Sequence, residues 1–290
     1  MSSNIYVLLY YKFTSVKKPQ FEVMQHKLVC QGIGLKGRII IGEEGINGTV
    51  AGTRAQLKQY TDYMDNHPVF HSIVFKRSPA GKMPFPKMIV KYRKEIVTLG
   101  KKVDLKKTGK YLKPQELHEL FEKNEDMVVV DMRNNYEYEV GRFEGAIQPD
   151  TVKFYELPEK VKNLKIDKKK KVVTYCTGGI RCEKATALLA EEGFTDVYQL
   201  EGGIVKYLEK YPDGHFIGKN FVFDDRMVTN TDTKSGSKVL GKCAHCKQAS
   251  DRYIDCVKPD CHQLFICCKD CEKKYQGLCP VAVKDLAKKA

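Results

Sequence analysis

No stretch of this 290-residue chain approaches the ~18 uninterrupted apolar residues of a membrane span. The apolar opening, Ile5 to Tyr11, lacks a basic lead and runs straight into Lys12, which reads as a first strand of a soluble, cytoplasmic protein and not as an export signal. A flavin or nicotinamide fingerprint is also missing, because Gly32-x-Gly34 alone is too little of one. Acidic residues are scarce at one end only. Residues 1–113 hold 21 Lys and Arg against 7 Asp and Glu, whereas residues 114–290 hold 29 of each, so the whole net charge of +14 is N-terminal. A small domain carrying that excess attracts a polyanion, and Tyr10, Tyr11, Phe13, Phe85 and Tyr92 can present stacking faces to bases. A basic solvated surface has the same composition.

The length allows two or three domains. In the first, periodicity predicts a strand over Ile5 to Phe13, a helix from Pro19 to Cys30, strands over Lys36 to Ile41 and Gly48 to Ala51, a helix from Thr53 to Asn66, and strands over Ile73 to Lys76 and Met88 to Tyr92. This β-α-β-β-α-β order implies a ferredoxin-like, acylphosphatase-type α+β sandwich. Asn47-Gly48 is the expected tip of a hairpin, and Ser78 to Lys87, rich in Pro and Gly, is expected as a basic loop. A lysine-rich linker, 101–113, separates domain 1–100 from a second domain, 114–225. There a helix over Pro114 to Glu122 precedes the apolar runs Met127 to Val130, Val172 to Tyr175 and Val197 to Leu200. Apolar strands alternating with helices imply a parallel α/β sheet covered on both faces, with its ligand site at the carboxyl ends of the strands.

Cys176-Thr177-Gly178-Gly179-Ile180-Arg181 falls at such an end, between a strand and a helix. Backbone N–H groups can curl around one point there, and the helix N-terminus and Arg181 add positive potential that favours a thiolate or a bound anion. Cys176 is therefore a candidate nucleophile presented at the surface of a groove, and Thr177, Gly178, Gly179 and Ile180 form its cradle. Cys182, in the first helical turn, is either a resolving cysteine or a small core residue, the latter favoured by helix geometry.

Asp131-x-Arg133, Glu137-Tyr138-x-x-Gly141, the Cys176 to Arg181 loop and Glu201-Gly202-Gly203 occur in the order of a rhodanese domain, which this segment resembles. In that family the loop cysteine carries a persulfide, and Asp131 with Arg133 reads as a structural ion pair. The likeness continues through Gly37-Arg38-Ile39, Glu44-Gly45-Ile46-Asn47-Gly48-Thr49 and Phe216-Ile217-Gly218-Lys219-Asn220-Phe221. Nearly the whole chain resembles the rhodanese-containing tRNA uridine hydroxylases. The resemblance implies an oxidoreductase that uses O2 to form 5-hydroxyuridine at wobble position 34 of tRNA, with Cys176 and Arg181 as its active residues. Arg38, Asn47, Lys76, Arg77, Lys82 and Lys87 are then the candidate contacts to tRNA near its anticodon. A persulfide sulfurtransferase is the alternative reading, since the cysteine loop alone does not separate sulfur delivery from hydroxylation.

Eight of the eleven cysteines fall between Cys243 and Cys279, in a segment 226–290 too short to build a core without a staple. Two C-x-x-C units separated by a spacer are a zinc signal, with an iron–sulfur cluster as the alternative. Cys243, Cys246, Cys268 and Cys271 form the first expected structural site. Cys256, Cys261 and Cys279, joined by Cys267 or His262, form a second.

Overall fold

A computed structural model describes residues 4–231 and 237–287; residues 232–236 and 288–290 of the expected cysteine-rich segment lie outside the described residues. The chain divides into two units, Met1–Lys102 and Val103–Ala290.

In the first unit, β1 (Ile5–Phe13), α1 (Pro19–Ile33), β2 (Lys36–Gly42), β3 (Gly45–Thr53), α2 (Arg54–Asp65), β4 (Lys76–Gly81) and β5 (Met88–Tyr92) follow one another. The five strands align in the order β4-β1-β3-β2-β5, antiparallel except for β2 with β5. α1 begins with Pro19 in its first turn and ends at Gly34, whose φ of 81° suits glycine. α2 is capped by Thr53, which accepts the Gln56 N–H while the Gln56 side chain accepts that of Thr53. Both helices pack on Leu8, Ile39, Ile41, Ile46 and Val50 of the central strands.

Two sequence expectations fail here. The hairpin turns at Glu43-Glu44, and Asn47-Gly48 lies inside β3, opposite Ile40 and Ile39. Gly48 is needed for closeness and not for a turn, because a Cβ there would sit 2.2 Å from the Tyr10 ring. The fourth strand is displaced to Lys76–Gly81, taking in residues expected as loop. Pro79 is tolerated because β4 is an edge strand, where a missing N–H costs no ladder bond.

The second unit is built on a parallel sheet in the order β6 (Lys110–Leu112), β10 (Val197–Leu200), β9 (Lys171–Tyr175), β7 (Met127–Asp131). The stretch 101–113, read from its lysines as a linker, thus supplies an edge strand. Around the sheet lie α3 (Pro114–Glu122), α4 (Asn135–Val140), α5 (Leu157–Lys162), α6 (Ile180–Glu191) and α7 (Gly203–Lys210), with β8 (Gly141–Phe143) paired to β11 (Phe216–Gly218). β12 (Asn220–Phe221) and β13 (Val228–Thr229) form a ribbon that leads to the cysteine-rich part: β14 (Tyr253–Asp255), β15 (Leu264–Ile266), α8 (Lys269–Lys274) and α9 (Pro280–Ala287). That part is docked on α4 through Val140, Phe221, Tyr253 and Ile266, and the Tyr253 hydroxyl donates to the Tyr136 carbonyl.

Candidate active site and metal centres

β9 is buried along Val172–Tyr175 and delivers Cys176 to the carboxyl edge of the parallel sheet. The chain then turns through Gly178-Gly179 into α6, and Gly179 takes φ +101°, a conformation that other residues rarely adopt. Gly203, at the start of α7, lies against the loop: a Cβ there would meet the Cys176 carbonyl oxygen at 2.4 Å. The approach lets Ile204 and Val205 donate their N–H groups to the carbonyls of Cys176 and Thr177 at 3.0 and 3.1 Å. The start of the loop is therefore fixed by backbone.

The Gly179 N–H donates to the Cys176 sulfur at 3.1 Å, and the Arg181 N–H and the Cys182 thiol donate to it as well. Burial pushes the Cys176 thiol up. The bond from Cys182, the charge of Arg181 and the two amides outweigh it, so the sulfur is held as an anion well below the usual thiol range. Cys182 moves the other way, raised by burial and by the neighbouring anion. It is an inward-facing residue, as helix geometry suggested, and it also acts as a hydrogen-bond donor to the active sulfur.

Arg181 also ties the loop to α4. Its guanidinium grips Glu137 of α4 in a two-pronged pair, Nη1 to Oε2 at 2.5 Å and Nη2 to Oε1 at 2.7 Å, and Nη2 donates to the Thr177 hydroxyl at 3.3 Å. Glu137 is fully buried; burial pushes its carboxyl up, but Arg181, with Arg133 behind it, holds it below the ordinary value. Glu137 was visible in the sequence only as a family motif residue, since its partner lies 44 residues away. Asp131 and Arg133 form a second pair with both side chains at 0% exposure, completed by Arg133 Nη2 on the Gly141 carbonyl at 2.5 Å. They are structural, as the sequence reading held.

The expectation of an exposed thiolate fails: Cys176 has 0% exposure, Thr177 and Arg181 are buried, and Ile180 is half-buried. The N–H groups that hold the anion point inward, so the sulfur must lie inside their ring. Phe223, 49% exposed on the β12–β13 connection, has its ring centroid 5.8 Å from the Arg181 guanidinium carbon.

The six candidate RNA contacts do not form one patch. Arg77 and Lys82 lie on or just beyond edge strand β4, whereas Arg38 on β2 and Lys87 just before the opposite edge strand β5 are roughly 14 and 19 Å away across three and four strand spacings. All four are exposed. Lys76 and Asn47 are turned inward. The Lys76 ammonium lies 4.9 Å from the Tyr11 ring centroid, and the Asn47 amide donates to the Ile96 carbonyl at 2.9 Å. Of the proposed stacking faces, Tyr10 and Phe85 are buried, while Tyr11, Phe13 and Tyr92 keep partial exposure. The second unit holds a cleft of about 940 Å³ that sequence reasoning missed, lined in part by Tyr136, Tyr138, Arg142, Lys153, Lys242 and Lys247. Its cations were hidden in a charge balance of zero over 114–290.

Cys243, Cys246, Cys268 and Cys271 converge with all sulfurs within 4.8 Å of one another, and Cys246 and Cys268 sulfurs are 3.7 Å apart. A tetrahedron of thiolates at about 2.3 Å from a zinc ion has edges of about 3.8 Å, so the four fit that ion. A disulfide needs about 2.05 Å. Cys256, Cys261 and Cys279 form a second group, with Cys261 and Cys279 sulfurs also 3.7 Å apart. Neither expected fourth ligand joins it: Cys267 faces Cys243, and His262 is exposed.

Three family models match the chain in succession: a UPF0176 acylphosphatase-like domain over residues 5–96, a rhodanese-like domain over 113–210 and a rhodanese C-terminal domain over 217–282. A solution structure of a rhodanese-like domain from Anabaena is 19% identical and covers 48% of this chain and 96% of its own, with a TM-score of 0.33. A protein of Chlamydia felis named tRNA uridine(34) hydroxylase is 41% identical over 96% of this chain and 87% of its own length. One of the same name from Protochlamydia amoebophila is 40% identical over 95% and 87%. The chain therefore belongs to the tRNA uridine(34) hydroxylase family.

Proposed function

We propose that this protein hydroxylates carbon 5 of wobble uridine 34 in tRNA, with Cys176 as the nucleophile. The observation that carries the reading is a cysteine sulfur that accepts the Gly179 N–H at the end of a parallel strand, in a chain matching hydroxylases over nearly its whole length. The thiolate adds to C6 of the uracil and makes C5 electron-rich. C5 then takes one oxygen atom from O2, while two electrons from an external reductant carry the other to water. Loss of the C5 proton expels the sulfur and restores the ring. Arg181, paired with Glu137, is a positioning residue that shapes the loop.

A buried sulfur requires part of its cover to move before a flipped base can reach it. The β12–β13 connection with Phe223 is the element we assign to that movement, because it lies over Arg181 and is itself half-exposed. The basic domain 1–100 docks the tRNA through Arg38, Arg77, Lys82 and Lys87, and the cleft lined by Arg142, Lys153, Lys242 and Lys247 offers phosphate contacts beside two tyrosines. Zinc held by Cys243, Cys246, Cys268 and Cys271 staples the C-terminal part as a structural ion.

The test is mass spectrometry of tRNA from cells lacking the protein, complemented with the natural chain or with Cys176→Ser. The expected result is hydroxyuridine restored by the first and not by the second. Loss of thiouridine in place of hydroxyuridine would transfer the site to sulfur delivery and overturn the proposal.

A further inference from the structure

Away from the cysteines, the second unit gathers two imidazoles and two carboxylates. His118 and Glu122 stand one turn apart on α3, His215 immediately precedes β11, and one ligand atom from each of the three lies within 4.8 Å of the other two. The surroundings treat the two rings alike. His118 Nδ1 is 3.0 Å from the Tyr207 hydroxyl, and His215 Nδ1 is 2.9 Å from the Glu144 carboxylate. Each ring is also fixed by stacking, His118 on Tyr211 at 3.9 Å and His215 on Phe121 at 4.7 Å. With both Nδ1 atoms held, the nitrogen left to each ring is Nε2, and that of His215 is 2.7 Å from Glu122 Oε1.

An imidazole that donates its second N–H to an oxygen acceptor is the usual form of a metal-ligating histidine, because the partner sets the tautomer and the ring angle; the Glu144 carboxylate accepts in this way from His215, and the Tyr207 oxygen can do so from His118. Two such rings with one carboxylate suit a borderline divalent transition cation and leave coordination positions open to solvent. The competing account is an ion-pair network in which a proton on His215 Nε2 bridges to Glu122. With the Glu122 and Glu144 side chains 62% and 54% exposed, that network stabilises little. A similar-looking group in the first unit, Glu22, His26 and His67, fails the same comparison. His67 Nδ1 there accepts the N–H groups of Val69 and Phe70, so Nε2 carries the proton toward Glu22 and has no lone pair to give.

We propose that His118, Glu122 and His215 bind a divalent transition cation, with Tyr207 and Glu144 orienting the two rings. The cation replaces the proton between His215 and Glu122. Its site reaches the catalytic strand through two packed rings: Tyr207 lies on Phe143 at 4.7 Å, and Phe143 on Tyr175 at 4.8 Å, the residue before Cys176. A bound cation therefore stiffens the stack beneath the cysteine loop, independently of what reaction the loop performs.

The experiment uses the full chain with its cysteine sites saturated with zinc and loosely held metal removed by a weak chelator. Titration with Co²⁺ is followed by visible absorption and calorimetry. One further equivalent should bind, with d–d bands and no thiolate-to-metal charge transfer; His118→Ala and Glu122→Gln should abolish it, and Glu144→Gln should weaken it about 10- to 100-fold. Glu122 is exposed, so its variant folds and keeps the test decisive if His118→Ala does not. Absence of the extra equivalent in the natural chain, or its persistence in Glu122→Gln, would overturn the site.

Discussion

The two units handle charge in opposite ways. The first carries most of the net positive charge of the chain, with Arg38, Arg77, Lys82 and Lys87 exposed to solvent. The second is neutral over residues 114–290 but places charges inside, where Glu137 with Arg181 and Asp131 with Arg133 are paired beneath the cysteine loop. Exposed charges act at a distance, are screened by salt, and attract a polyanion without holding it in one geometry. Buried pairs contribute little net stability over apolar residues, yet once built they fix geometry, because removing one partner strands the other. One unit is arranged for attraction and the other for position.

That contrast can be broken by substitution. Cys176→Ser should lower hydroxyuridine in cellular tRNA to background while leaving tRNA affinity unchanged in filter binding. Glu137→Gln should cost about 3–5 kcal/mol by leaving Arg181 buried and unpaired, a fall on the order of 10 °C in the melting temperature of the second unit. The sign with pH follows from a carboxyl held below its ordinary value. Its stabilisation is complete above about pH 4.3, the unfolded value, and is lost as pH falls through the lower folded one, so the variant should lose that part of the acid sensitivity. Cys182→Ala removes a donor to the anion, worth about 1.5–3 kcal/mol, and should raise the Cys176 titration by about one to two units in a thiol-reactivity profile. The smallest effects belong to the first unit: Arg77→Ala or Lys87→Ala should each reduce the salt dependence of tRNA binding by about one phosphate contact. Lys76→Ala, by contrast, should alter stability and leave that slope intact, since its ammonium lies over Tyr11.

Legibility in the sequence followed the range of the interactions. β7, β9 and β10 were readable as short, mostly apolar segments ended by polar residues or glycine, and the cysteine loop by its paired glycines, both local signals. α2 was readable from its cap at Thr53 and Gln56. The position of β4 was not, because Pro79 reads as a breaker unless its strand is known to lie at an edge. Asn47-Gly48 looked like a turn because the ring of Tyr10 that requires the glycine arrives from a strand almost forty residues away. The same applies to the site. Cys176 and its cradle were evident from spacing, but Glu137, the partner that fixes the Arg181 guanidinium, depends on a contact across 44 residues, and the burial of the sulfur depends on the whole fold.

The most direct test is the rate at which a small alkylating reagent modifies Cys176 as a function of pH, read by peptide mass spectrometry on the full chain. Because the thiolate is the reactive form, an anion held by the loop gives a rate that is flat from pH 9 down through neutrality and falls only in acid. A rate that climbs through pH 8 to 9, as for an ordinary thiol with a value of about 8.5, would show a neutral buried cysteine and contradict the account.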